Sequence, residues 1–157
     1  MQLNALTIRE AILKDLECLQ LLEQAVVTAE RPFNTAIKPR NATYYDLNKL
    51  LQEHNCRLVV AEIADEIIAT GYVQIRNSKI SLNHEQHGYL GFMYVAPAYR
   101  GLGINKLIMD DLIHWSKSKG IKDFYLDVYE GNHAAINAYK KLGFSKSLVE
   151  MKMTITE

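Results

Sequence analysis

The sequence has little cysteine, proline or tryptophan, and it has no excess of charge of either sign. Its 157 residues include two cysteines, three prolines and one tryptophan. Lysine plus arginine and aspartate plus glutamate each total 18, so the basic excess that general nucleic-acid or anionic-membrane binding requires is missing. No apolar run is as long as a membrane helix, and the N-terminus lacks a signal-peptide pattern. We therefore expect no nucleic-acid partner and no membrane association.

The two cysteines lie far apart in the chain, with no other metal-ligating residues at suitable spacing. Cys18 falls in a predicted helix and Cys56 at the start of a predicted strand. The simplest interpretation is a reduced cytoplasmic protein with two buried, inert thiols and no metal. The length fits a single domain over residues 1–157 with a substantial core. Both a monomer and a homodimer fit this sequence.

Hydrophobic periodicity predicts an α/β chain with a mixed sheet and helices on its faces. The predicted strands cover residues 6–9, 57–63, 67–76, 89–95 and 124–129, with one or two closing strands in 144–156. The predicted helices cover residues 12–30, 44–54, 104–119 and 132–142. Thr43 is the expected cap of the second helix, with Asp46 at the capping-box position. Residues 89–95 are nearly all apolar, which predicts a strand buried on both faces and followed by a parallel crossover.

The most informative segment joins that strand to the next helix. It reads Val95-Ala-Pro-Ala-Tyr-Arg-Gly-Leu-Gly-Ile-Asn-Lys106, with Gly101 and Gly103 directly before the helix. A helix N-terminus offers unpaired N–H groups and a partial positive charge, and glycine lets a ligand approach the backbone. The loop therefore suits a phosphate, and Arg100 adds a fixed charge. An ordinary turn that needs glycine for a positive φ explains the glycines alone equally well.

The spacing of the glycines distinguishes this loop from two other phosphate-binding loops. A P-loop requires a Lys-Ser/Thr pair after its glycines, and none follows Gly103. A dinucleotide fingerprint requires three glycines, whereas only Gly101 and Gly103 are present. The segment is therefore a different kind of anion site.

A second segment follows the fifth predicted strand. Asn132 opens the last predicted helix as its N-cap, and Ala135 and Tyr139 then lie on one face of that helix. Gly143 and Phe144 follow the helix. Taken alone, Tyr139 is equally explained as a core tyrosine, because the chain contains nine tyrosines.

Together the two segments resemble the GCN5-related N-acetyltransferase (GNAT) superfamily. The acetyl-CoA signature of that superfamily is Gln/Arg-x-x-Gly-x-Gly/Ala, which residues 100–105 fit except at Asn105. The second segment fits its Asn-x-x-Ala-x-x-x-Tyr-x-x-x-Gly-Phe pattern, and the strong resemblance covers residues 89–144. It implies a GNAT-like acyl-CoA N-acyltransferase fold with a central mixed sheet of six to seven strands and about four helices. It also implies direct transfer of an acetyl group from acetyl-CoA to a primary amine of a small molecule or protein.

The resemblance also implies roles for individual residues. Backbone groups of Met93 and Val95, with Tyr94 between them, would pair with pantetheine. The pyrophosphate would lie on Arg100, Gly101, Leu102, Gly103, Ile104, Asn105 and Lys106. Asn132 and Ala135 belong to the helix that carries Tyr139, which would give a proton to the CoA thiolate. The family has a small residue where this chain has Asn105, and we expect its side chain to donate a hydrogen bond rather than to crowd the loop.

The sequence does not single out one residue as the general base or one set of residues as the acceptor pocket. Glu85, His84, His87 and Glu150 are candidates for the base, and a water relay competes with all of them. The acceptor pocket is expected to form from the loop after the first helix and from the C-terminal strands, with Glu30, Arg31, Phe33 and Tyr45 as candidate residues. The acceptor itself, whether a small amine, an amino acid, a protein terminus or a lysine, is not determined by these residues.

Two other functions compete with an acetyltransferase. One is a non-catalytic acyl-CoA-binding module on the same fold; the presence of Tyr139 favours catalysis over this alternative. The other is a nucleotide-binding domain that uses the glycine loop, and stabilisation by CoA but not by ATP would exclude it.

Overall fold

The structure, a computed structural model, describes residues 3–157 as two units. The first unit ends at Asp127, and the second runs from Val128 to Glu157. The prediction of one domain over the whole chain stays a prediction.

The first unit is built on a mixed sheet of five strands within residues 3–127. The strands are β1 (Thr7–Glu10), β2 (Cys56–Ile63), β3 (Glu66–Asn77), β4 (Gln86–Val95) and β5 (Phe124–Tyr125). The helices are α1 (Leu16–Glu30), α2 (Leu47–Gln52) and α3 (Ile104–Ser118), with 3-10 turns at Leu3–Ala5, Leu13–Asp15, Arg31–Phe33 and Pro97–Tyr99. The strands lie in chain order, antiparallel from β1 to β4, whereas β5 is parallel to β4. The predicted mixed sheet and parallel crossover through α3 are therefore confirmed.

The hairpin between β2 and β3 forms where the sequence predicts it. Ala64 and Asp65 link the two strands and both have positive φ, at 50° and 64°. This conformation suits the twist of a two-residue hairpin, although glycine and asparagine adopt it at less cost.

The β4 strand carries a bulge opposite β3. Tyr72 pairs with Gly91 and Thr70 with Tyr94, so β4 uses one more residue than β3 over this stretch. Phe92 lies inside the bulge with a φ of 54°, a conformation that a bulky residue rarely adopts. A side chain at Gly91 would come within 2.5 Å of the Tyr72 hydroxyl, so the missing Cβ makes room for that ring.

The sheet packs helices on both of its faces. On one face α3 contacts β2, β3 and β4, and a side chain at Gly71 would meet Ile108 of this helix. On the other face Tyr72 joins an apolar cluster with Leu19 of α1 and Leu47 of α2. The side chains of Leu19, Ile68, Leu90, Ile108 and Leu112 are fully buried. The sheet is therefore the middle of three layers, and its second face also carries the aromatic residues discussed below.

The expectation that residues 89–95 are buried on both faces holds only in part, since Leu90 and Phe92 are buried on opposite faces of the sheet but most of their neighbours are not. Burial alternates along β4: Leu90 and Phe92 are buried, whereas Tyr89, Gly91 and Met93 are only half-buried. Apolar composition alone does not reveal this alternation, because tyrosine and methionine tolerate partial exposure.

The second helix is shorter than predicted, and its cap is a different residue. It begins at Leu47, and Asp46 rather than Thr43 caps it, accepting a bond from the Lys49 N–H at 3.1 Å. Tyr44 and Tyr45, which come before the helix, bond to α1 instead of forming a helical turn. The buried Glu23 carboxylate accepts bonds from their N–H groups, each at 2.8 Å. This long-range anchor competes with a helical first turn at these residues.

The second unit contains the last helix, α4 (His133–Lys141). Asn132 caps it as predicted, accepting a bond from the Ala135 N–H at 3.2 Å, and Gly143 follows with a φ of 101°. Residues 142–157 form no strand, and β5 ends at Tyr125, so the expected six to seven strands are five within the described residues. Val149, Met151, Met153 and Ile155 alternate with polar residues but are 68% to 86% exposed. Alternation indicates which side chains share a face, but a strand also requires a paired neighbour.

Replacing Glu23 by alanine is expected to destabilise the first unit by about 2–4 kcal/mol, because two backbone N–H groups lose their acceptor. Urea unfolding of both variants measures this. Gln20→Ala, an exposed change on the same helix, is the control and should stay within about 0.5 kcal/mol of the parent. Equal unfolding midpoints for the two variants would show that Glu23 does not anchor the segment.

Candidate functional site

The parallel strands β4 and β5 pair over a very short distance. Within the described residues, Gly88 pairs with Phe124 and Tyr89 with Tyr125, and no further pair follows. Beyond Tyr89, β4 continues to Val95 while β5 stops, so within the first unit this edge of residues 90–95 has no strand beside it. Met93, Tyr94 and Val95 lie on this half-buried open edge. Unpaired N–H and C=O groups on a strand edge can bind an extended ligand.

The glycine loop leads from this edge into α3. Gly101 and Gly103 have φ values of 78° and 80°, and Gly103 is the N-cap residue directly before the helix. No side chain of residues 3–157 caps the helix, and its first turn holds no acidic residue. Leu102 is exposed while Ile104 is buried, so Ile104 fixes the helix start to the core. The first N–H groups of α3 are thus presented by a fixed helix at an uncapped N-terminus.

Three polar side chains of the predicted phosphate site lie around this loop. Arg100 donates from Nε to the carbonyl oxygen of Val95 at 2.9 Å, which places its guanidinium where the loop meets the open edge. Lys106 pairs with Asp110 one turn further along the helix, at 2.6 Å between Nζ and Oδ2. Asn105 is half-buried at the start of the helix. Residues 93–106 therefore form one continuous surface.

Two of the predicted acceptor residues lie near each other on the α1/α2 face of the sheet. Burial raises the pKa of Glu30, and a smaller effect of its hydrogen bond with Tyr44 lowers it. The Tyr45 ring stacks on Phe92 with centroids 4.6 Å apart and meets Tyr72 edge-on at 5.8 Å. Burial also raises the pKa of Tyr45, and the negative charge of Glu30 adds to this shift. The stack places Tyr45 against the bulge of β4.

The other predicted acceptor residues, and the candidate base Glu85, are less closely associated with this cluster. Arg31 donates to the carbonyl oxygen of Lys38 at 3.0 Å, so it braces its own loop. Phe33 is 39% exposed in the same 3-10 turn after α1. Glu85 lies exposed in the loop before β4, where its carbonyl oxygen accepts a bond from the Ser78 N–H at 2.8 Å.

A further group of residues on this face was not found from the sequence. The Tyr89 hydroxyl donates to Oδ2 of Asp127 at 2.7 Å, and the Arg76 guanidinium carbon lies 3.8 Å from the Tyr89 ring centroid. Burial, together with the Asp127 carboxylate, raises the pKa of Tyr89, so its hydroxyl remains a donor. Asp127 follows Tyr125 by two residues, so it lies where β4 and β5 separate. Knowing the β4–β5 register would have revealed it, but the sequence pattern does not give that register.

Two of the candidate base residues are linked in a hydrogen-bonded chain. Ser78 Oγ lies 2.7 Å from Nδ1 of His84 and 2.9 Å from Nδ1 of His87. Nε2 of His84 lies 2.8 Å from the Tyr125 hydroxyl. Both imidazoles therefore help to join the β3–β4 loop to β5.

The predicted residues of the second unit lie on and after α4. Asn132 and Ala135 form the helix cap already described. Tyr139 is half-buried, and its ring meets Phe144 edge-on with centroids 5.9 Å apart. Glu150 is exposed.

Neither cysteine has the environment of a reactive thiol. Cys56 is buried, and burial raises the pKa of its thiol to about 11. Burial also raises the pKa of Cys18. Among residues 3–157, no three His, Cys, Asp or Glu side chains gather as metal ligands do. None of the helices in this part of the chain is long and apolar enough to cross a membrane.

Comparison with known proteins shows which family the chain resembles. Residues 22–144 match the model of the acetyltransferase (GNAT) family. An N-alpha-acetyltransferase from Sulfurisphaera tokodaii is 31% identical over 120 residues, which are 72% of this chain and 71% of that protein.

Two solved structures have the same fold. A mutant of the BH1408 protein from Bacillus halodurans has a TM-score of 0.84 at 23% identity, with 96% of this chain and 99% of that one covered. A predicted acetyltransferase from Clostridium acetobutylicum, solved with acetyl-CoA, has a TM-score of 0.74 at 23% identity, with 95% and 96% covered.

The histidine chain leads to a prediction of pH-dependent stability. Burial lowers the pKa of His87, and repulsion from His84 and Arg76 lowers it further, against a weaker opposite effect of Asp123. The unfolded chain, whose histidine pKa is about 6.5, then takes up this proton first, so stability should fall as pH drops through that value. Urea unfolding between pH 7.5 and 5.5 should show a smaller decrease for His87→Gln than for the parent.

The control for this measurement is His114→Gln, which removes an exposed histidine of α3. It should keep the pH dependence of the parent. The same slope in all three proteins would show that His87 does not contribute to it.

Proposed function

The chain belongs to the acetyltransferase (GNAT) family, and from this premise we propose that it transfers the acetyl group of acetyl-CoA directly to a primary amine of a small molecule or a protein. One observation carries the proposal. The open edge of β4 runs directly into the uncapped, glycine-flanked N-terminus of α3. CoA has an extended chain with two amides that ends in a pyrophosphate. The amide chain matches the open edge, and the pyrophosphate matches the helix N-terminus that follows it.

The cosubstrate binds along residues 93–106 in this proposal. Backbone groups of Met93 and Val95 pair with the amides of pantetheine, as a neighbouring strand would. The pyrophosphate lies on the N–H groups that follow Gly101 and Gly103, with the helix dipole adding to the attraction. Asn105, half-buried at this point, donates from its side-chain amide.

Two cations complete the phosphate site. Arg100 already lies against the end of β4 through its bond to Val95, so little motion brings its remaining donors to a phosphate. Lys106 pairs with Asp110, but both side chains are more than half exposed. Exposed pairs of this kind contribute only about 0–1 kcal/mol, so Lys106 can exchange Asp110 for a phosphate at small cost.

The acceptor amine must lose a proton before it attacks. We propose that Asp127 accepts it, because this carboxylate is exposed, is fixed by Tyr89 and lies where the open edge begins. His84 and His87 are engaged in their own chain, and Glu85 lies out in the loop. The neutral nitrogen then forms a bond to the thioester carbonyl carbon, and the carbon–sulfur bond breaks. No acyl-enzyme forms, which agrees with the raised thiol pKa of Cys56.

Tyr139 returns a proton to the departing thiolate in this proposal. The assignment rests on the pattern from Asn132 to Phe144, which includes the helix cap described above. A phenol has a reference pKa of about 10, so it is protonated at neutral pH and can act as a general acid.

A panel of primary amines tests the proposal as a whole. Release of the CoA thiol with at least one amine supports the transferase. Binding of acetyl-CoA without release across the panel would favour the non-catalytic module. Stabilisation by ATP and not by CoA would favour the nucleotide-binding domain.

Replacing Gly103 by valine should weaken CoA binding by at least tenfold, because the branched side chain blocks phosphate from the loop amides. Calorimetric titration with CoA measures this. A Cβ at Gly103 meets no atom within 4 Å, so the cost to folding is limited to backbone strain of about 1–3 kcal/mol.

Gly120→Val provides a matched control at the other end of the same helix. Gly120 has a φ of 82° and equally open surroundings, so its replacement costs similar strain. This variant should bind CoA as the parent does. If both variants bind equally well, the glycine loop is not the phosphate site.

Replacing Tyr139 by phenylalanine should lower kcat by roughly 10²–10⁴ while the affinity for acetyl-CoA stays nearly unchanged. Steady-state rates with the best amine of the panel measure this. Tyr129→Phe, which removes a hydroxyl elsewhere in the second unit, should keep the parent kcat. An unchanged kcat in folded Tyr139→Phe, where chemistry limits the rate, would leave water as the proton donor.

A further inference from the structure

We propose that the acceptor is a free amino acid, bound with its α-carboxylate on Arg76 and its α-amino group on Asp127. This inference rests on the proposed function and specifies its acceptor. The three residues that carry it are Arg76, Tyr89 and Asp127, which lie together on the α1/α2 face of the sheet.

The Arg76 side chain is held in place without being neutralised. Its guanidinium carbon lies 3.8 Å from the Tyr89 ring centroid, and its Nε donates to Oε1 of Gln74 at 2.7 Å. Among residues 3–157, no side chain or carbonyl bonds its two terminal nitrogens, and the residue is exposed. A stacked guanidinium with two parallel donors free matches the two oxygens of a carboxylate.

Asp127 is held by the hydroxyl of Tyr89, whereas Arg76 lies against the ring of the same residue. Its Oδ2 accepts the Tyr89 hydroxyl bond at 2.7 Å, and the residue is exposed. Asp127 and Arg76 form no ion pair with each other within the described part of the chain. The protein therefore holds a cation and an anion on one ring while leaving both open to a ligand.

The separation of the two charges suits a small zwitterion. The two measured contacts, with the length of a phenol ring between them, keep the guanidinium carbon within roughly 9 Å of Oδ2 of Asp127. An α-amino acid that makes a charge-assisted hydrogen bond of about 2.8 Å at each end spans a similar distance. Its ammonium and carboxylate thus meet opposite charges at both ends.

Other amines fit this pair of charges less well. A polyamine or an aminosugar brings only positive charge, which Arg76 repels. A peptide N-terminus has a neutral carbonyl where the amino acid has a carboxylate, so it leaves the guanidinium without a counter-charge. The site would thus select a free amino acid in two ways: it attracts the carboxylate, and it leaves Arg76 without a counter-charge when another amine binds.

The orientation also places the reacting nitrogen correctly for the proposed chemistry. Tyr89 is the last β4 residue that pairs with β5, so Asp127 lies at the beginning of the open edge. The ammonium gives one proton to Asp127, and the neutral nitrogen then forms the bond to the acetyl carbon. The carbon–sulfur bond breaks and the proposed acid Tyr139 protonates the sulfur. The second proton, which leaves the nitrogen as it becomes the amide, restores the Tyr139 hydroxyl through solvent. The product is an N-acetylamino acid and CoA, with the proton on Asp127 returned to solvent.

The test compares each of the twenty L-amino acids with its carboxamide, using release of the CoA thiol as the readout. At least one amino acid should exceed its carboxamide in kcat/KM by about 10–100-fold, the value of hydrogen bonds to a charged group. In Arg76→Gln this preference should disappear through a raised KM with kcat nearly unchanged. Arg76→Lys should restore part of it, because it keeps the charge without the paired donors.

Lys79→Gln is the matched control, because it removes an exposed positive charge from the adjoining loop. It should keep the preference for the carboxylate. Asp127→Asn should instead lower kcat.

The outcomes separate this inference from the function on which it rests. Turnover of amines without any preference for the carboxylate, unchanged in Arg76→Gln, would overturn the inference and leave the transferase intact. Absence of thiol release with every amine, carboxylates and carboxamides included, would overturn both.

Discussion

The short pairing between β4 and β5 is the constraint on which the site depends. Two residue pairs hold the strands together, and β4 then runs on with one edge that no strand of residues 3–127 pairs. Extending the pairing to Val95 would close that edge and leave no backbone groups for an extended ligand. The chain stabilises the short contact by other means. The hydrogen bonds from Ser78 through His84 to Tyr125, and from Tyr89 to Asp127, join the strands where they are still together.

The two faces of the sheet support different parts of the site. On one face α3 packs through Ile108 and Leu112, both fully buried, and this packing fixes the helix whose N-terminus follows Gly103. On the other face an aromatic row of Tyr45, Tyr72 and Phe92 supports the surface that carries Tyr89. The proposed cosubstrate and acceptor sites thus lie on helices and strands rather than on loops alone, which favours accurate positioning.

Local features of the sequence were the ones that could be predicted well. The Asn132 cap, the glycines at the start of α3 and the hairpin at Ala64 depend on neighbouring residues, and all three were found in the expected places. Features set by pairing between distant segments were missed. They include the early end of β5, the absence of strands after residue 142 and the meeting of Tyr89 with Asp127. Alternation shows which residues share a face, but register and the presence of a partner strand depend on the whole sheet.

The bulge at Phe92 makes β4 exchange its two surfaces partway along its length. Before the bulge, Tyr89 faces the aromatic side and Leu90 the opposite side; beyond it, Tyr94 lies with the aromatic cluster and Met93 reaches toward Gly71 beneath α3. If β4 kept the same residues but paired with β3 by simple alternation through this stretch, Tyr94 and Val95 would lie on the wrong sides together. The faces of Tyr94 and Val95 therefore depend on how many residues β4 places opposite this stretch of β3, and not only on which residues these are. Among relatives, the spacing from Tyr89 to Arg100 should vary less than the residues that occupy it.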